Sequence, residues 1–205
     1  VRAQLAQGTI YSVNHELEIE LAEELCAAIP CAEMVRYAKC GGEACAIAVR
    51  IARGVTGRDK VLFCGYHGWH DWYLAANLAE DANLNAHLFP GIDPIGVPRA
   101  LAGTVLPFPS GNLAALSDQL EQHRGEVAAI IMEPLRSELP PAGYLAGVAD
   151  LARAHGAVLI FDEVSSGLRF STGGAQQYLG VTPDMAVFAK SLSNGYPMAA
   201  VVGRR

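Results

Sequence analysis

Apolar residues along this chain follow two rhythms. In residues 16–29, Leu17, Leu21, Leu25 and Ala28 recur at helical spacing with acids opposite, which predicts an amphipathic helix ended by Pro30. Residues 43–53 predict a second helix, opened by Gly41-Gly42 and ended at Gly54. Residues 112–123 and 145–155 predict two more, the latter stopped at Gly156.

Between these lie short, unbroken apolar runs of the kind that form buried strands: Val61–Phe63, Val127–Met132, Ala157–Phe161, Met185–Ala189 and Ala199–Val202. Thr104–Phe108 carries a proline, so it reads as an edge strand. Strands alternating with helices predict an α/β fold with a mainly parallel sheet covered by helices. Residues 79–103 are rich in Asn, Pro and Gly and lack periodicity, and they are expected to form a long functional loop. Residues 163–174 read as a glycine-rich loop.

Composition narrows the class. With 205 residues, 51% hydrophobic and 18% charged, the chain can bury a large core and is not disordered. A net charge of −6 without a basic block argues against nucleic acid. No apolar stretch approaches the roughly 18 to 20 residues that span a bilayer, so no membrane partner is expected. Residues 1–10 lack the basic-then-apolar layout of a signal peptide. Five cysteines, an odd number, read as reduced packing thiols and a cytoplasmic location. Residues 1–30 are expected to be a helical segment leading into a large domain at 31–205. The finish at Gly203-Arg204-Arg205, directly after a strand, reads as a piece of a longer protein that lacks a C-terminal domain.

The residues that follow the apolar runs carry the chemistry. Asp162 follows one run and Lys190 another. Ligands of open parallel sheets collect beyond the carboxyl ends of the strands, so both groups should face one crevice. A carboxylate that keeps a ring nitrogen protonated and a lysine that forms a Schiff base are what pyridoxal phosphate requires of its protein. Taken alone, the pair fits a helix-capping Asp and a solvated Lys as well.

Cys40-Gly-Gly-Glu-Ala44 opens a helix, where backbone N–H groups attract an anion such as phosphate; a simple turn is the alternative. Gly65-Tyr-His-Gly-Trp-His-Asp-Trp-Tyr73 offers aromatic rings that can stack on a planar cofactor. His67, His70 and Asp71 also raise a metal site, but no further ligand is evident and no metal is expected. Glu133 and Glu138 are acids after a strand, read either as substrate-orienting groups or as an exposed acidic loop. His15, His87, His123 and His155 have no evident partners and read as surface or loop residues.

Taken in order, these segments closely resemble the class III aminotransferases, fold type I pyridoxal-phosphate enzymes, and especially the subgroup around glutamate-1-semialdehyde aminomutase. The resemblance rests on Glu33-Met-Val-Arg36, Gly41-Gly-Glu-Ala44, Ala52-Arg-Gly-Val-Thr-Gly-Arg58, Tyr66-His-Gly68, Glu133-Pro134, Phe161-Asp-Glu-Val164, Gly173-Gly-Ala-Gln176, Val181-Thr-Pro-Asp184 and Lys190. It implies a seven-stranded-type sheet in a three-layer α/β/α arrangement and pyridoxal phosphate as cofactor. Lys190 would be the Schiff-base lysine and Asp162 the partner of the ring nitrogen. Tyr66 and Val164 would cover the two ring faces, and Cys40, Gly41 and Gly42 would hold the phosphate. Trp69 and Glu138 would shape the substrate site. The chain departs from the family in lacking hydroxyls at Cys40-Gly41-Gly42 and in carrying Ser165 after Asp-Glu-Val, where many members have Gln.

The activity implied is amino-group transfer between an amine donor and a carbonyl acceptor by a protein that dimerises with itself. An intramolecular aminomutase and a truncated, non-catalytic cofactor-binding domain are the rival readings.

Overall fold

The computed structural model describes residues 1–9 and 11–205. The strands are β1 (Met34–Ala38), β2 (Lys60–Cys64), β3 (Val105–Pro107), β4 (Val127–Met132), β5 (Val158–Asp162), β6 (Met185–Phe188) and β7 (Ala199–Gly203). They form one sheet of seven in the order β1-β7-β6-β5-β4-β2-β3. Pairings from β3 through β6 are parallel, and β7 runs antiparallel to both its neighbours. The sheet is therefore mixed but mainly parallel. Pro107 sits on edge strand β3, where a missing N–H costs least.

The helices are α1 (Arg2–Gln7), α2 (Glu16–Ala28), α3 (Gly41–Thr56), α4 (Asp71–Leu74), α5 (Ala76–Ala79), α6 (Leu113–Gln122), α7 (Tyr144–His155) and α8 (Gly174–Leu179). Successive strand residues point to opposite faces. Leu62, Ile130, Phe161 and Phe188 thus join one core with Leu116 and Leu120 of α6 and Leu145 and Val148 of α7. Val61, Phe63, Ile131, Ile160 and Val187 join another with α3. Ala44, Ala48 and Ala52, four residues apart on α3, are fully buried and let that helix lie close to the sheet. Three layers result.

Several expectations need correction. Helix α3 runs through Gly54 and ends at Gly57, whose left-handed backbone (φ 66) caps it. On α2 only Leu25 is buried, and Leu17 is 53% exposed, because this helix covers only the sheet edge. Strand β1 escaped the reading of apolar runs because Arg36 interrupts it; as an edge strand it need not be apolar on both faces. Helices α1, α4, α5 and α8 are four to six residues long, too short for a helical period to show.

The segment 79–103 is partly ordered from within. Asn77 donates to the Ile92 carbonyl (2.7 Å) and accepts from the Leu84 N–H (2.9 Å), and Leu84 and Val97 are buried. His15 is the N-cap of α2, accepting from the Leu17 N–H. His123 meets Lys60 at 2.8 Å, and His155 lies 3.5 Å from Glu121. No helix among the described residues is long and apolar enough to cross a membrane.

Candidate active site

Because β2, β4, β5 and β6 run parallel, the residues that follow them emerge along one edge of the sheet, where the N-terminus of α3 also arrives. A cavity of about 380 Å³ opens there. Cys40, Gly41, Gly42, Tyr66, Asp162, Val164 and Lys190 all line it, so the structure gathers every cofactor-site residue proposed from sequence.

Asp162 is 4% exposed, and each of its two oxygens has a hydrogen-bond partner. Its Oδ2 lies 2.7 Å from His67 Nδ1 and 3.4 Å from Cys45 Sγ, and Oδ1 accepts from the Val164 N–H at 3.0 Å. His67 is buried, with Phe63 and Tyr73 edge-on to its ring and Trp72 stacked beyond. Its Nε2 has no hydrogen-bond partner among the described residues. Burial, then the neighbouring Asp162, pushes the Cys45 thiol well above its ordinary range, so it stays protonated.

Lys190 follows β6 by two residues and takes a left-handed backbone (φ 46), which costs a non-glycine residue on the order of 1 kcal/mol. Its Nζ donates to Ser165 Oγ at 2.8 Å. Strain of this kind clusters where side-chain aim matters.

Tyr66 is held through its backbone. Its N–H donates to Glu133 Oε2 (3.1 Å), which also meets Arg136 Nε at 3.0 Å. The preceding Gly65 donates its N–H to His87 Nδ1 (3.1 Å), and Tyr73 donates its hydroxyl to the Gly65 carbonyl (2.8 Å). His87 is therefore a buried support, not a surface residue. Burial lowers it to about 4, which keeps Nδ1 free to accept.

At the other end of the cavity, a Cβ on Gly68 would lie 2.5 Å from Gly42 Cα, and one on Gly41 would lie 2.8 Å from Val164 Cγ2. Only glycines permit this close approach. Cys40, the N-cap of α3, makes no side-chain capping bond, so first-turn N–H groups remain available to an anion. Cys40 is exposed to the cavity, unlike the buried Cys31, Cys45 and Cys64.

Two proposed substrate residues do not line this cavity but grooves that adjoin it. Trp69 is 54% exposed and lines a groove with Arg50 and Arg53 that shares Cys40, Gly42 and Tyr66 with the cavity. Glu138 lines another with Pro141 and Tyr144, which shares Glu133 with the cavity. The His67–His70 pair splits, since His67 turns to Asp162 while His70 lies against Gly42. Donor atoms of Cys45, His67 and Asp162 do lie within 4.8 Å of one another, but hydrogen bonds to Asp162 already account for that grouping. Cys45 and His87 were not picked out from sequence, His67 was raised only as a metal ligand, and Ser165 only as a departure from the family pattern. The one signal was their being polar residues inside apolar or aromatic surroundings.

The chain matches the family model "Aminotransferase class-III" over residues 1–205. It is 40% identical to a glutamate-1-semialdehyde 2,1-aminomutase of Methanococcus maripaludis (strain C5), covering 100% of this chain and 48% of that one. An omega-transaminase from Sphaerobacter thermophilus superposes with a TM-score of 0.85 at 34% identity, covering 99% of this chain and 48% of that one. A solved transaminase with PLP bound superposes with a TM-score of 0.87 at 31% identity, covering 100% and 48%. This chain thus spans about half the length of the relatives it matches. On the extent of that match, the chain belongs to the class III aminotransferases.

Proposed function

We propose that this chain forms the cofactor-binding half of a pyridoxal-phosphate enzyme that moves an amino group between an amine or amino acid and a carbonyl acceptor. The observation that carries the reading is the convergence of Asp162 and Lys190, from neighbouring strands, on one cavity. The residues present fit the cofactor. A buried carboxylate, a lysine amine, an aromatic ring and a glycine cradle at a helix N-terminus surround the same space.

Bound there, pyridoxal phosphate supplies an aldehyde for amines and a ring that accepts the electrons released when a bond to carbon breaks. Lys190 Nζ would be the amine that holds the cofactor and carries the proton during transfer. Asp162 would hold the proton on the ring nitrogen, with His67 keeping that carboxylate in place. Tyr66 and Val164 would cover the ring, with Glu133 and His87 fixing the turn that carries Tyr66. Gly41, Gly42 and the first turn of α3 would receive the phosphate. Ser165 is too short to replace a longer amide, and its hydroxyl serves Lys190 instead.

A homodimer and a cytoplasmic location belong to the same reading, and the five free cysteines suit a reducing compartment. The 40% identity to an aminomutase favours a second reading, isomerisation of one amino-aldehyde without an external acceptor. Product formed from such a substrate alone would select it over transfer.

Borohydride reduction of the chain in pyridoxal phosphate, followed by peptide mapping, tests the site. The expected adduct is on Lys190. An adduct on another lysine, or none in well-folded protein, overturns the assignment.

A further inference from the structure

We infer that the Cys45 thiol is a positioning group for Asp162. It donates its S–H to Oδ2 and, with His67, determines which carboxylate oxygen is left to face the cavity. This deepens the reading of Asp162 given above and rests on it.

Cys45 stands on α3 four residues after Gly41, so it shares the helix face that closes the cavity. It is 1% exposed, and its sulfur lies 3.4 Å from Asp162 Oδ2, within reach of an S–H donor. The same oxygen meets His67 Nδ1 at 2.7 Å. Oδ2 therefore has two partners, whereas Oδ1 has, among the described residues, only the Val164 N–H at 3.0 Å. A carboxylate oxygen offers about two lone-pair sites. Oδ2 is filled, and the open position belongs to Oδ1.

That assignment has a chemical consequence. Each hydrogen bond donated to a carboxylate draws off charge and lowers its hold on a further proton. The thiol weakens the grip of Asp162 on a cofactor ring nitrogen slightly, while fixing its direction. Packing alone does not require a thiol here. The neighbouring buried positions of α3 are alanines and a valine, and Ala or Val would fill this one comparably.

Two measurements test the inference, one without cofactor. The infrared S–H stretching band of Cys45, identified by its loss in Cys45→Ala, should sit at the low frequency of a hydrogen-bonded thiol. It should rise in Asp162→Asn, where the acceptor loses its charge. A band at the free-thiol frequency that ignores Asp162→Asn overturns the proposal.

The second measurement uses pyridoxal phosphate carrying nitrogen-15 in its ring. Its signal should move toward the protonated value in Cys45→Ala and Cys45→Val and stay near wild type in Cys45→Ser, which keeps a donor. Movement in all three variants alike, or in none, assigns Cys45 to packing and overturns the proposal. A signal that also ignores Asp162→Asn means that Asp162 does not meet the ring. In that case the functional reading fails, while the infrared result still decides the thiol.

Discussion

Asp162 and Glu163 are adjacent, acidic and buried, at 4% and 0% exposure, yet they belong to different parts of the molecule. Asp162 points to the α3 side of the sheet and joins His67, Cys45 and the cavity. Glu163 points to the other side, toward α8. Its Oε2 accepts from the Ala175 N–H, and its Oε1 accepts from the Gln176 N–H (3.2 Å) and Nε2 (3.0 Å). Gln176 in turn accepts from the Cys31 N–H at 3.0 Å. One carboxylate is held ready beside open space, and the other ties together three segments with no space beside it. Burial alone does not mark a functional acid; the presence of room at the carboxylate does.

Substitution separates the two most sharply. Glu163→Ala strands three buried N–H donors where water has no entry, and should cost about 3 kcal/mol or more of stability. Asp162→Ala also strips partners, but the cavity admits water to them, and the loss should be near 1 kcal/mol. Its larger effect is on the cofactor, whose ring nitrogen loses its partner. Urea unfolding of both variants gives the comparison. Equal losses would show that Asp162 is as much a structural tie as Glu163.

Acid should affect the two sides in opposite senses. Burial pushes the Glu163 carboxyl above its ordinary value, so the folded state binds that proton more readily than the unfolded chain does. Its contribution is largest in acid and declines as pH climbs past the ordinary carboxyl range. On the cavity side, burial brings His87 down from 6.5 to about 4. The unfolded chain then takes up the proton first, so stability is full above about pH 6.5 and falls as pH drops toward 4, by about 3 kcal/mol. Urea midpoints at pH 7, 5.5 and 4.5 should show Glu163→Gln removing a gain on acidification and His87→Asn removing a loss. Differences of the same sign in both variants would contradict the separation.

How much of this was legible beforehand follows from where each signal resides. Buried parallel strands are apolar on both faces, so β4, β5 and β6 stood out as runs, and Asp162 and Lys190 stood out as the residues after them. The glycines at 41 and 42 were legible because a phosphate cradle needs backbone without side chains. The division of labour between Asp162 and Glu163 was not legible, because two neighbouring acids look alike until the strand's alternation is tied to particular cores. Ile160 faces α3 and Phe161 faces α6 and α7, which settles the next two positions in turn. The pairing of His67 with Asp162 and the support that His87 gives Gly65 were missed because the partners lie 95 and 22 residues apart in sequence. Trp69 was proposed from the aromatic turn it belongs to and Glu138 from the family resemblance, and their loops carry them into grooves that adjoin the cavity.

The smallest expected effect repeats the comparison a few residues on. Ser165 is exposed to the cavity and accepts from Lys190 Nζ at 2.8 Å. Ser166 is 2% exposed, and its Oγ has no hydrogen-bond partner among the described residues. A buried hydroxyl without a partner costs free energy that a methyl group does not. Ser166→Ala should therefore raise stability by about 0.5 to 1 kcal/mol and leave cofactor fixation on Lys190 unchanged. Ser165→Ala should change stability by less than about 0.5 kcal/mol, because solvent replaces what it loses, yet reduce the yield of the Lys190 adduct. Urea midpoints and borohydride trapping on the same samples read both effects. If Ser166→Ala destabilises instead, its hydroxyl is satisfied by a buried water, and the contrast between the two sides holds for the carboxylates but not for the serines.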